Sequence, residues 1–217
     1  GMDAGPLPLH SSMTKTNESL PDVACEGFNS FDIQVIVKSL VKYYNVAVAF
    51  IALEAPDDLK LKACYGISLQ SVGHESIARH SIARDLPIII EDAQADRRFA
   101  EDALVTGPPA LRFFAAAPLM VSSRCCVGSV CIMDNKSRTF SLDDSAFLQR
   151  CAKEIDQIYK RVLGGKDIWT LTVSDLGSLG DTDSPELQDG DDGPSSTLGS
   201  LLEGLSVEDR RPDGDLD

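Results

Sequence analysis

Two apolar runs, Phe113 to Val121 and Val127 to Met133, are joined by the short polar link Ser122-Ser123-Arg124. Such a pair reads as a β-hairpin at the centre of a sheet. Upstream, Ile88-Ile89-Ile90 reads as a third, short buried strand. It feeds the acidic segment Glu91 to Asp96, a predicted loop, and Asp96-Arg97-Arg98-Phe99 reads as a helical turn with Phe99 inward and both arginines outward. Strand, charged loop and hairpin together wrap a segment over one sheet face, an arrangement that can enclose a pocket.

Charge is spread unevenly along the 217 residues. Residues 165–217 hold 3 Lys+Arg against 14 Asp+Glu, a net of −11, while the first 164 carry −3. The low pI therefore describes an appendage, not a binding face. A near-neutral unit of ~140 residues can bury well over half of its unfolded surface. Residues 1–27 are rich in Pro, Ser, Thr and Gly without periodicity and read as a disordered leader; 28–164 read as the domain, and 165–217 as an acidic, mostly disordered tail. Within that tail Leu198, Leu201, Leu202, Leu205 and Val207 have helical spacing, a pattern open to ordering by a partner. No run approaches the ~18 apolar residues of a membrane span, and no secretory signal pattern is present. The six cysteines form no C-x-x-C or framework, and Cys64, Cys131 and Cys151 fall at apolar positions. That is the usage of reduced thiols, so a cytoplasmic protein is expected.

Elsewhere, Ile33, Ile36, Val37, Leu40, Val41 and Tyr44 make an amphipathic helical stripe, with Asn29 and Asp32 as its start signal. Val46 to Leu53 and Leu59 to Tyr65 read as a strand pair around Pro56-Asp57-Asp58, with Leu59, Leu61, Ala63 and Tyr65 alternating against Lys60, Lys62 and Cys64. Glu75 to Arg84 reads as a helix stopped by Asp85-Leu86-Pro87. A last helix starts at Ser141, with Asp144 completing a near capping box, and closes at Gly164-Gly165.

The phrases EDAQADRRFAEDALVTGPPALRFFAAAPL and VGSVCIMDNKSRTFSLDD resemble the GAF domain, a sensory module of phosphodiesterases, phytochromes, histidine kinases and diguanylate cyclases. The resemblance covers about Phe28 to Leu163. It implies an α+β, PAS-related fold: a central antiparallel sheet of five to six strands, N- and C-terminal helices on one face, and pocket-covering loops and helices on the other. It further implies a non-catalytic sensory or regulatory role, with a small ligand in the pocket and a protein partner receiving the signal, and a homodimer through the first and last helices. Neither nucleic acid nor membrane is expected as a partner.

Arg112, before Phe113-Phe114, needs a carboxylate if buried; Asp92 and Asp96 are the candidates. It either binds an anionic ligand or clamps loop to sheet. His80 aligns with a histidine common in the family, and either lines the pocket or bonds a neighbouring carbonyl. Phe50, Tyr65, Phe99 and Phe114 complete the candidate ligand-binding set, unless they fill the cavity themselves. That alternative makes the chain a ligand-free dimerisation or protein-interaction scaffold. No cofactor is expected. Asn135-Lys136, Phe140 and Asp143-Asp144 echo the motif of cyclic-nucleotide GAF domains, but with the acidic pair one residue early and Asp for Glu. No cysteine precedes a histidine, as bilin attachment often requires. A GAF-fold enzyme exists, the free-methionine sulfoxide reductase, whose cysteine pattern is not matched; Cys125-Cys126 remain candidates for a thiol sensor or reductase. Three histidines, one in the leader, do not make a metal site, and no catalytic constellation emerges.

Overall fold

Val48–Glu54 (β1) is buried at every position, so the sheet around it must be covered on both faces. In the computed structural model, which describes residues 22–73, 75–122 and 125–164, β1 lies between Leu59–Tyr65 (β2) and Cys125–Asp134 (β6). Phe113–Ser122 (β5) pairs with β6, Ile88–Ile90 (β4) closes one edge, and Ser71–Val72 (β3) the other. The order is β3-β2-β1-β6-β5-β4 with every pair antiparallel. This is the expected α+β architecture. β3, only Ser71 and Val72, is too short to show a period and went unforeseen.

One face carries Phe31–Tyr44 (α2) and Leu142–Val162 (α5). Their stripes, Ile33, Ile36, Val37 and Leu40 with Leu148, Cys151, Ile155 and Ile158, pack on Ala49, Ile51, Leu53, Ala115 and Ile132 of the sheet. The end of α2 meets the start of α5: Tyr43 stacks on Phe147 at 4.1 Å, and Tyr44 Oη donates to the Asp144 carbonyl at 2.7 Å. α5 opens with a full capping box, in which Ser141 Oγ accepts from the Asp144 amide at 3.1 Å and Asp144 Oδ2 from the Ser141 amide at 3.0 Å. Ser141→Ala should lower stability by about 1 kcal/mol, read by urea unfolding. Asn29 is not the start signal of α2. Ser30 takes the N-cap position, and Asn29 Oδ1 instead accepts from the Ala63 amide at 3.0 Å.

Two further expectations need correction. The packed unit begins before residue 28, because Asp22–Glu26 (α1) is helical and buries Ala24 and Cys25. Phe28 stacks on Tyr159 at 3.9 Å, Tyr159 Oη donates to the Ala24 carbonyl at 2.9 Å, and a Cβ on Gly27 would meet the Tyr159 ring at 2.8 Å. Five residues are too few to show a period. The rest of the leader, the 165–217 tail with its leucine patch, and the Cys125 side chain lie outside the description. In β2 the alternation breaks: Ala63 adopts φ +48, and Ala49 faces Tyr65 while Ile51 faces Lys62, so one extra residue bulges. Leu59 and Leu61 stay on one face, but Ala63 joins the helix-side core.

The other face is covered by Arg79–Arg84 (α3) and by the crossing segment 91–111, which contains Ala103–Thr106 (α4). Val48, Phe50, Ala52, Phe114, Ala116, Cys131 and Met133 of the sheet pack there against Ile77, Ile82, Ala93, Phe99, Val105 and Leu111. Arg79 reaches Glu54 at the buried end of β1 at 3.3 Å and ties α3 to the sheet.

Candidate functional site

The crossing segment is pinned at two points. At its start Asp92 receives Arg112 in a two-pronged pair, Nε to Oδ1 at 2.7 Å and Nη2 to Oδ2 at 2.6 Å. The Ala93 amide donates to the Arg112 carbonyl at 2.6 Å, and the Arg112 amide to the Asp134 carbonyl at 2.9 Å. The guanidinium beside Asp92 holds that carboxyl below the usual range, and Asp92 holds Arg112 above its own. Of the two sequence candidates only Asp92 is the partner. Asp96 turns to Arg98 instead, which donates from Nε at 3.0 Å and Nη2 at 2.6 Å. Arg112 is thus the clamp tying loop to sheet. Arg112→Gln is expected to speed hydrogen exchange at the Ala93 amide while leaving α5 amides unchanged, measured by NMR.

Midway along, the segment is tied through Asp102 to the turn that precedes α3. Asp102 Oδ1 accepts from the Leu104 amide at 2.8 Å as the N-cap of α4, and Oδ2 from the Ile77 amide at 3.2 Å. Between α3 and the segment lies a cleft of ≈ 560 Å³, lined by Val72, Gly73, Ser76, His80, Arg98, Phe99, Asp102 and Leu104 among others. His80 stands edge-on to Phe99 at 4.7 Å, and the Arg98 guanidinium lies 4.9 Å above the same ring. Burial, then Arg84 and Arg98, pull the His80 pKa below its ordinary value. The imidazole is therefore neutral at pH 7, with one nitrogen to donate and one to accept.

The expected ligand set separates into layers. His80 and Phe99 line the cleft. Phe50 and Phe114 do not line it; they are buried in the apolar cluster between segment and sheet. Asp92 and Arg112 anchor the segment, and Asp96 serves Arg98. Tyr65 is 40 % exposed and pairs with Ala49 of the helix-side core, so the β2 bulge turns it to the opposite face. Asp102 was missed, although an aspartate before Ala-Leu-Val is a helix-start signal. Arg138 was missed too: it donates to Asp134 and to the Tyr44 and Asn45 carbonyls, knitting the end of α2 to β6. A second cleft of ≈ 480 Å³ lies at the same β3–β2 edge of the sheet, beside Glu26, Asn29, Lys60 and Lys62. Several of its polar groups are already paired, Lys62 with Glu26 and Asn29 with Ala63.

Among the described thiols Cys25, Cys126, Cys131 and Cys151 are buried and Cys64 is exposed. Burial pushes Cys131 and Cys151 up to about 12 and raises Cys64 as well. Among the described residues no group of three or more His, Cys, Asp or Glu is placed to hold a metal ion, and no helix is long and apolar enough to cross a membrane.

This sheet order, with paired helices on one face and a pinned segment over the other, defines a small α+β domain. A model of the GAF domain family matches residues 33–158, and the chain belongs to that family. A cyclic di-GMP phosphodiesterase of Pseudomonas aeruginosa is 27 % identical over 120 residues, 54 % of this chain and 20 % of that protein. The chain thus spans about a fifth of that relative's length. Among solved structures, the type II free methionine-R-sulfoxide reductase of Thermoplasma acidophilum superposes with a TM-score of 0.53 at 14 % identity, covering 64 % of this chain and 96 % of that one. The GAF domain of an Acinetobacter phosphoenolpyruvate-protein phosphotransferase gives 0.51 at 19 % identity, covering 67 % and 93 %. At such identities the likeness speaks for the fold alone.

Proposed function

We propose that the chain is a non-catalytic sensory or regulatory module that binds a small ligand in the cleft between α3 and the crossing segment and signals to a partner chain. The observation that carries this is the cleft itself, where the neutral His80 and the Phe99 ring stand beside a segment anchored at Asp92 and Asp102. A ligand bridging His80 and that segment would bias the segment's position, and with it the lid-side core packed on the sheet. The cyclic-nucleotide echo lends little support. Phe140 packs on Phe113 and Tyr44 on the helix side, and Asp144 caps α5. Nor do Cys131 and Cys151 favour the reductase alternative, since buried thiols with raised pKa are poor nucleophiles. Of the pair named for it, Cys126 is buried and the Cys125 side chain lies outside the described residues.

The test is calorimetry and thermal shift on the full chain with cyclic di-GMP, cyclic GMP, free methionine sulfoxide and a fragment library, repeated on His80→Ala. The proposal expects at least one compound that stabilises the parent and loses most of its effect in the variant. Stabilisation equal in both proteins, or turnover of methionine sulfoxide with a thiol reductant, would refute it.

A further inference from the structure

The outer surface of the helix layer has no part in the cleft. The exposed side chains of α5 are Leu142, Asp143 and Ala146 in its first turns, then Arg150, Lys153, Gln157, Lys160 and Arg161, the last also 3.8 Å from Glu154. Those from Arg150 onward are spaced to share one stripe, and beyond Asp143 no acidic residue of α5 is exposed. Beside it, α2 presents Lys38 and Lys42 opposite its buried Ile33, Ile36 and Leu40. The exposed acids of this surface, Asp32 and Asp143, are confined to the helix starts. Residues 22–164 as a whole have 16 basic and 18 acidic side chains, so the basic character belongs to this face and not to the domain.

The opposite charge is attached to the same helix. Residues 165–217, outside the described part, begin immediately after Gly164 and carry a net of −11. We propose that this acidic segment docks back on the basic outer face of α5 and α2. Reach is ample: the 21 residues of α5 span ~32 Å, which ~10 extended residues cover, against the 53 that follow. Covalent attachment supplies an effective concentration in the millimolar range. Each exposed pair contributes little alone and is screened by salt, so the contact is collective and salt-sensitive. The inference does not depend on the ligand cleft.

Carbodiimide cross-linking of the full chain, as an equal mixture of ¹⁴N- and ¹⁵N-labelled protein, tests this. At low salt Lys153 and Lys160 should couple to aspartates and glutamates of 165–217 in isotopically pure pairs, several-fold more often than Lys60 or Lys136, and 0.5 M NaCl should remove most of that yield. The double variant Arg150→Glu/Arg161→Glu leaves both reporter lysines in place and should likewise lose most of it. Isotopically mixed pairs, equal coupling to Lys60 and Lys136, or a yield indifferent to salt and to the variant would each overturn the proposal.

Discussion

Replacing Asp156 by Asn should stabilise the domain by an amount that grows by on the order of 4 kcal/mol between pH 4 and pH 8. Asp156 faces the sheet from α5 and is 6 % exposed. Its Oδ2 accepts from the Met120 amide at 3.0 Å, where the β5–β6 register shifts, and its Oδ1 has no partner among the described residues. Burial pushes its pKa up to about 7 against the counteracting Met120 amide and Lys160. A folded-state pKa above the unfolded value means that the native state holds the proton more tightly. The resulting stability is complete below the unfolded pKa near 4. It erodes by about 1.4 kcal/mol per pH unit and is gone above 7. Asn keeps the acceptor for Met120 and never ionises, so the two proteins should be nearly equal at pH 4 and diverge above it. Urea unfolding of both across that range gives the difference directly. A difference independent of pH would mean that the carboxylate is hydrated or paired in the folded state.

Phe114→Ala should cost about 3–5 kcal/mol, with Phe114→Leu well below that. Phe114 is fully buried on the lid side of β5, between partners Ile90 on β4 and Met133 on β6. It belongs to the same apolar cluster as Phe99 and Leu111 of the crossing segment. Removing the ring therefore takes away both a core contact and the surface on which the segment rests. Loss should be larger than for a peripheral phenylalanine, and segment amides should exchange faster even in the folded state. Urea denaturation with the slope monitored checks the first expectation. A cost below about 1 kcal/mol would show that segment and sheet are not packed as described.

What could be read beforehand follows from which forces are local. The hairpin of β5 and β6 and the helices α2 and α5 announce themselves through unbroken or periodic apolar runs. The Arg112–Asp92 clamp was foreseeable because a guanidinium beside a core strand demands a carboxylate, and the loop offered two. Choosing between Asp92 and Asp96 required the fold, since Asp96 is taken by its neighbour Arg98. Tyr65 was misplaced because a single extra residue at Ala63 inverts every face beyond it. The cleft was only half legible: His80 and Phe99 were candidates, but Asp102 joins them through a bond to the Ile77 amide 25 positions away. No period or motif encodes such a meeting.

Fragment screening of the full chain by protein-observed ¹H–¹⁵N NMR tests the central reading most directly. The account predicts that amide shifts produced by saturable binders cluster at Ser76, Ile77, His80 and Phe99 to Leu104, and that Arg112→Gln weakens those binders. Binders that map instead to the Glu26–Lys62 cleft or to the helix face, with the His80 region silent, would contradict it.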